Sequence, residues 1–210
     1  MFATHNFVFI SVPKTASTTI NHYLRDPATK AAGPLEISNM HAPPQQYHKT
    51  INELLETEPD GPCAEKKCFK FAFVRNPWER LLSGYTDFHI LRRRHALPPF
   101  EEFCKGLQDS GWIEEIHFKP QYTFLESSKF GCPFETMSYI GRYENLQKDL
   151  ITALDEREGI EGPNIKKWLS ESESYRATKH AHYTEAYTGK TREIIGKLYK
   201  KDIELFEYTF

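Results

Sequence analysis

Three short apolar runs, each stopped by turn residues and each followed by a helical pattern, restrict what this chain can fold into. Phe7-Val8-Phe9-Ile10 ends in Ser11-Val12-Pro13, and Phe69-Lys70-Phe71-Ala72-Phe73-Val74 ends in Arg75-Asn76-Pro77. Met137-Ser138-Tyr139-Ile140 ends in Gly141-Arg142. Short runs bounded in this way fit strands covered on both faces, as in a parallel sheet. Thr18 to Leu24 follows the first run. After the second, Trp78, Leu81, Leu82 and Tyr85 fall at i, i+3, i+4 and i+7, which is one helix face. Asn76 can cap that helix, and Pro77 suits its first position. Leu146, Leu150 and Leu154 follow the third run, and a last helix carries Ile194, Ile195, Leu198, Tyr199, Ile203 and Phe206. Strands alternating with helices predict an α/β sandwich with a central parallel sheet flanked by helices.

The 210 residues suit a single domain spanning 1–210 with a real core. Hydrophobic residues make up 39% and aromatics 14%, which is globular rather than disordered. A net charge of −2 speaks against a surface built for nucleic acid. The start, Met1-Phe2-Ala3-Thr4-His5-Asn6, has no basic segment followed by an apolar one, so it does not read as a signal peptide. No apolar run approaches the roughly 20 residues of a membrane helix, so the expectation is a cytoplasmic chain without a membrane anchor. Cys63, Cys68, Cys104 and Cys132 are too sparse for a disulfide scaffold. Cys63 and Cys68 have no compact Cys/His pair after them to complete a zinc site, and a bridge between them requires an oxidising compartment. The stretches 26–44 and 92–120 are less periodic and read as loops or irregular helices that can carry function.

Two segments carry chemistry. The first, Pro13-Lys14-Thr15-Ala16-Ser17-Thr18-Thr19, stands between a strand and a helix. The helix turns its free N–H groups and positive dipole end toward this loop, a geometry suited to an anion. Lys14 adds charge, Thr15, Ser17, Thr18 and Thr19 add hydroxyls, and Ala16 is small enough for close backbone approach. The pattern G-x4-G-K-S/T is absent, so this is a phosphate loop unlike that of a kinase or ATPase. The blander reading is a polar turn with a capping hydroxyl. In the second segment, Arg75 leaves the strand end and Ser83 lies two turns along the following helix. Arg75 offers a planar fork for phosphate oxygens, and Ser83 a hydroxyl for the same group. The blander reading is an arginine paired with a carboxylate.

Together the two segments resemble a family. Pro13 to Thr19 is similar to the 5′-phosphosulfate loop of sulfotransferases that use 3′-phosphoadenosine 5′-phosphosulfate (PAPS), in the Pro-Lys-Thr-Ala-Ser-Thr form of heparan-type 2-O-sulfotransferases. Arg75 to Tyr85 matches every specified position of that family's 3′-phosphate motif, R-N/D/K-P-x-x-R-L-x-S-x-Y. Gly141-Arg142-Tyr143-Glu144-Asn145-Leu146 resembles the segment in which cytosolic relatives place a tyrosine against adenine, which implies that role for Tyr143. The ending Tyr199 to Tyr208 resembles the family's C-terminal helix. The resemblance implies a P-loop-like three-layer sandwich, PAPS as donor with PAP as product, and a hydroxylated acceptor, on this resemblance a carbohydrate. The Golgi members carry an anchor and stem that are not read here, and the chain is shorter where most members have acceptor-binding insertions.

Sulfuryl transfer requires in-line attack by an acceptor oxygen and stabilisation of charge on the leaving phosphate. Lys14 and the loop N–H groups suit the second task, and no metal is needed. The base is expected to be a histidine. Nine are present, and His41 is the first choice, by its resemblance to the base of 2-O-sulfotransferase-like members; His48, His89 and His117 are the alternatives. Arg92-Arg93-Arg94-His95 reads as a solvated face or a contact for an acidic sugar chain, and Lys179, His180 and His182 resemble a basic C-terminal segment that relatives place near the nucleotide. Two other functions stay open: a kinase-like nucleotide enzyme, and a PAP-binding module without activity.

Overall fold

A computed structural model describes residues 2–3, 7–25, 48–88, 97–155 and 182–210. In chain order, the strands are β1 (Phe2–Ala3), β2 (Phe7–Ile10), β3 (Phe69–Val74) and β4 (Tyr139–Arg142). The helices are α1 (Ser17–Arg25), α2 (Ile51–Thr57), α3 (Pro77–Thr86), α4 (Phe100–Gly106), α5 (Tyr122–Leu125) and α6 (Pro133–Thr136). They continue with α7 (Leu146–Asp155), α8 (Tyr183–Ala186), α9 (Gly189–Leu198) and α10 (Lys200–Leu205). This is an α/β fold. The chain divides into two compact units, residues 1–74 with 123–175, and residues 75–122 with 176–210.

The first unit holds the sheet, in the order β1-β2-β3-β4. β2, β3 and β4 run parallel, and β1 adds a short antiparallel edge that the apolar runs did not announce. Every residue of β2 is fully buried, as an unbroken Phe-Val-Phe-Ile run requires. Phe7, Phe9, Phe71 and Phe73 pack with Ile20, Tyr23 and Leu24 of α1 and with Leu150, Ala153 and Leu154 of α7. The ring centroids of Phe9 and Phe71 are 5.0 Å apart. Burying one such aromatic is worth roughly 1.5–3 kcal/mol, so this cluster is what seats α1 and α7 on the sheet.

The third strand departs from the sequence expectation of Met137 to Ile140. Met137 N–H donates to Pro133 O at 2.9 Å and so closes α6. Ser138 pairs with Lys70 twice: its N–H donates to Lys70 O at 2.7 Å, and its Oγ accepts from Lys70 N–H at 3.1 Å. The regular ladder therefore begins at Tyr139 and takes in Gly141 and Arg142. Gly141 is required there because a Cβ would lie 2.6 Å from Phe73 Cε1.

The second unit is built on α3. Asn76 Oδ1 accepts from Trp78 N–H at 3.1 Å, and Pro77 occupies the first helical position. Trp78, Leu81 and Tyr85 point into a core with Phe103 and Cys104 of α4, with Leu107 and Phe118, and with Ile195 and Tyr199. The expected last helix is two helices. The chain leaves helical geometry at Tyr199, with φ −103° and ψ 23°. That break accompanies two inward polar groups, Tyr199 Oη donating to Phe118 O and the fully buried Asp202.

Candidate functional site

The loop after β2 is strained in a specific way. Lys14 has φ 66° and Ala16 has φ 63°, both in the left-handed region. Among the described residues, Glu207 is the other non-glycine with a positive φ. Each such residue costs about 1–2 kcal/mol, so the surrounding contacts must hold the loop. They are short and buried. Thr15 Oγ1 donates to Val12 O at 2.9 Å, and Asn21 Nδ2 donates to Ser11 Oγ at 2.9 Å and to Ser17 O at 2.7 Å. Left-handed residues either side of an ordinary one turn successive N–H groups toward a common concavity, which binds anions. The loop runs directly into α1, whose first N–H groups have no partner within the helix. Here residues other than glycine occupy the backbone region that glycine favours.

The side chains of this segment divide by exposure. Lys14, Ala16 and Thr19 are half-buried and Thr18 is exposed. Ser17 is buried, and Thr15 is fully buried with its hydroxyl committed to Val12. Tyr143 is half-buried and opens a 3-10 turn, Tyr143–Asn145, straight after β4. His48 is joined to the start of the loop: its Nδ1 donates to Ser11 O at 2.6 Å. A ring that donates through Nδ1 carries its lone pair on Nε2 when neutral.

Arg75 and Ser83 lie in the second unit and are both buried. Arg75 Nη2 meets Glu79 Oε1 at 2.8 Å. The side-chain amide of Gln121 brackets the Arg75 peptide, accepting from its N–H at 2.8 Å and donating to its carbonyl at 2.8 Å. Arg80 is wholly buried and donates through Nη2 to Lys119 O at 2.6 Å. Burial lowers the Arg80 guanidinium from its ordinary value against the opposing pull of Tyr199 and Asp202, yet it remains a cation at neutral pH. Burial likewise raises the Asp202 carboxyl, while Arg80 and the N–H groups of Gln121 and Tyr122 act to lower it.

The remaining candidates are distributed as follows. His117 is buried, with Nδ1 3.1 Å from both Glu115 carboxylate oxygens and its ring edge-on to Phe88, so it serves the core of its unit. His182 is exposed and bonds Thr184 Oγ1 at 2.7 Å. His41, His89, Arg92 to His95, Lys179 and His180 lie outside the described residues. All four cysteines are free thiols, with Cys63, Cys68 and Cys104 buried. Among the described residues no group of three or more His, Cys, Asp or Glu is placed to hold a metal, and no helix is long and apolar enough to cross a membrane.

A family model described as the sulfotransferase family matches residues 1–209. The chain belongs to that family. Among the sulfotransferases it is similar to, carbohydrate sulfotransferase 11 of Danio rerio is 25% identical over 98% of this chain and 65% of its own length. The same enzyme of Mus musculus is 26% identical over the same shares. Carbohydrate sulfotransferase 10 of Homo sapiens is 29% identical over 68% of this chain and 48% of its own length. The chain thus spans slightly less than two thirds of the length of the curated relatives it matches across its full extent. No solved structure matches it.

Some residues around the candidate site escaped sequence reasoning. Gln121 and Asp202 carry no motif and no periodicity, and only the fold brings Gln121 to Arg75 and Asp202 to Gln121. His48 stood among several histidines, and its bond to Ser11 is what separates it from the others.

Proposed function

We propose that residues 1–210 act as one sulfotransferase domain that moves a sulfuryl group from PAPS to a hydroxyl on a carbohydrate acceptor. The observation that carries this reading is the left-handed pair Lys14 and Ala16 in a loop feeding α1, which is strain placed where an anion would be held. The family and the carbohydrate sulfotransferases it resembles supply the sulfate and the sugar. In this reading the sandwich is of the P-loop-like, three-layer kind.

The residues fit the donor. Lys14, the N–H groups of Thr15 and Ala16, and Ser17, Thr18 and Thr19 would hold its 5′ end. Arg75 and Ser83 would take the 3′-phosphate, and Tyr143 the adenine. The donor brings an activated sulfuryl group; the protein brings position and charge. Lys14 and the N-terminus of α1 would offset the negative charge left on the donor when its sulfuryl group is transferred. A base takes the proton of the acceptor hydroxyl as that oxygen bonds to sulfur. The sequence names His41 for this task. The Nδ1 bond of His48 to Ser11 O supports His48 as the alternative, because it ties the ring to the residue that leads into the loop.

The test is transfer of radiolabelled sulfate from PAPS across a panel of glycans, phenols and lipids. Labelled glycan is the expected product. Binding of PAP without transfer to any acceptor would favour the inactive binding module. Turnover of ATP with Mg²⁺ in place of PAPS would favour the kinase-like reading.

A further inference from the structure

The last register pairs of β3 join Ala72 to Ile10 and Val74 to Arg142, so Arg75 lies just beyond the regular ladder. Its peptide is nonetheless buried, and a buried main-chain N–H and C=O both need partners. Gln121 supplies both from one planar amide, at 2.8 Å and 2.8 Å, and is itself fully buried. Only an amide side chain carries a donor and an acceptor in one plane suited to this. Gln121 is fixed in turn. Its own N–H donates to Asp202 Oδ2 at 2.7 Å, and the Tyr122 N–H donates to Asp202 Oδ1 at 2.8 Å. Asp202 is fully buried, in the first turn of α10. On the other side, Asn76 Nδ2 donates to Thr209 O at 2.8 Å. The peptide from which the Arg75 side chain springs is therefore held from 46 residues away by Gln121, and Gln121 from 81 residues away by Asp202.

We propose that Gln121, seated by Asp202, is the positioning residue of Arg75 and so sets how well the site separates a 3′-phosphorylated nucleotide from one without that phosphate. The inference rests on the reading of Arg75 as the 3′-phosphate contact. A guanidinium binds phosphate through a planar fork, so its affinity depends on angle as well as charge. Rotation of the Arg75 peptide swings that fork while Arg75 keeps its charge. Gln121 does not touch the nucleotide, and its loss acts on the 3′-phosphate alone.

The experiment is calorimetry of the full chain with PAP and with adenosine 5′-monophosphate, which differ by the 3′-phosphate. Wild type binds PAP at least about tenfold more tightly. Gln121→Met, of similar length but unable to hydrogen-bond, lowers that ratio about tenfold and leaves the monophosphate within about twofold of wild type. Gln121→Glu keeps the acceptor for the Arg75 N–H and loses the donor to its carbonyl; it gives a smaller fall in the same direction. A folded Gln121 variant that keeps the wild-type ratio overturns the proposal. So does an equal weakening of both ligands, or failure of both variants to fold, since either shows a purely structural role. If wild type does not distinguish the two nucleotides, the functional reading of Arg75 fails first.

Discussion

Arg75 Nη2 stands 2.8 Å from Glu79 Oε1, one turn along α3, with the arginine side chain 7% and the glutamate side chain 25% exposed. A carboxylate thus already occupies part of the fork that a phosphate would use. Exposed pairs of this spacing are worth about 0.3–0.5 kcal/mol, and shielding from water raises that value. Glu79→Gln removes the competitor and its repulsion of an incoming phosphate. PAP affinity should rise about threefold to tenfold, read by calorimetry. Unchanged or weaker binding would show that Glu79 steadies Arg75 rather than competing for it.

Removing the guanidinium has the opposite effect. Arg75→Ala should weaken PAP by roughly 10- to 100-fold, the scale of one or two charge-assisted hydrogen bonds. Adenosine 5′-phosphosulfate, without the 3′-phosphate, should be nearly unaffected. Equal losses for both ligands would refute the role given to Arg75.

The strained loop makes its own prediction. Ala16 at φ 63° sits where a β-branched side chain fits worst. Ala16→Val should cost about 1–3 kcal/mol in urea unfolding. Ala16→Gly should stay within about 1 kcal/mol of wild type, because the relief of strain offsets the added freedom of the unfolded chain. Equal stability of the valine and glycine variants would argue that the loop relaxes in solution.

The two histidine candidates separate by turnover. Replacing the true base by alanine should lower kcat by roughly 10²–10⁴-fold with PAP affinity nearly unchanged. We expect this of His48→Ala, with wild-type turnover falling at acid pH as the imidazole protonates. His41→Ala then keeps most activity. The reverse pattern would return the role to His41.

The buried thiols predict an alkaline weakness. Burial pushes Cys63 from 9.0 up to about 11 against the pull of the Lys70 ammonium, and burial pushes Cys104 up to about 12. Between pH 9 and about 11 the unfolded chain has lost the Cys63 proton and the native chain keeps it. The native state then binds more protons, so stability falls as pH rises through that window. The lowered Lys70 works the other way on one group only. Urea midpoints should drop across this range, and less steeply in Cys63→Ala. At neutral pH a thiol reagent should modify exposed Cys132 quickly and the three buried thiols only on unfolding. Rapid labelling of all four would contradict this burial.

Sequence by itself determined the strand–turn–helix units and the loop before α1. Their signals are local: an unbroken apolar run buries both faces of a strand, Asn76 and Pro77 start a helix through their own geometry, and leucines four apart make one face. Such patterns need only neighbours a few residues away. Tertiary structure decided what holds them. The left-handed turn at Lys14 and Ala16 is not written in residue types that favour it, and packing around Thr15 and Asn21 imposes it. Ser138 delays the third strand because its hydroxyl meets Lys70, 68 residues away. Gln121 reaches Arg75 and Asp202 reaches Gln121 through single polar contacts, which have no period and no composition to betray them. A hydrogen bond between distant residues is specified by position in space, and position exists only once the apolar clusters have closed.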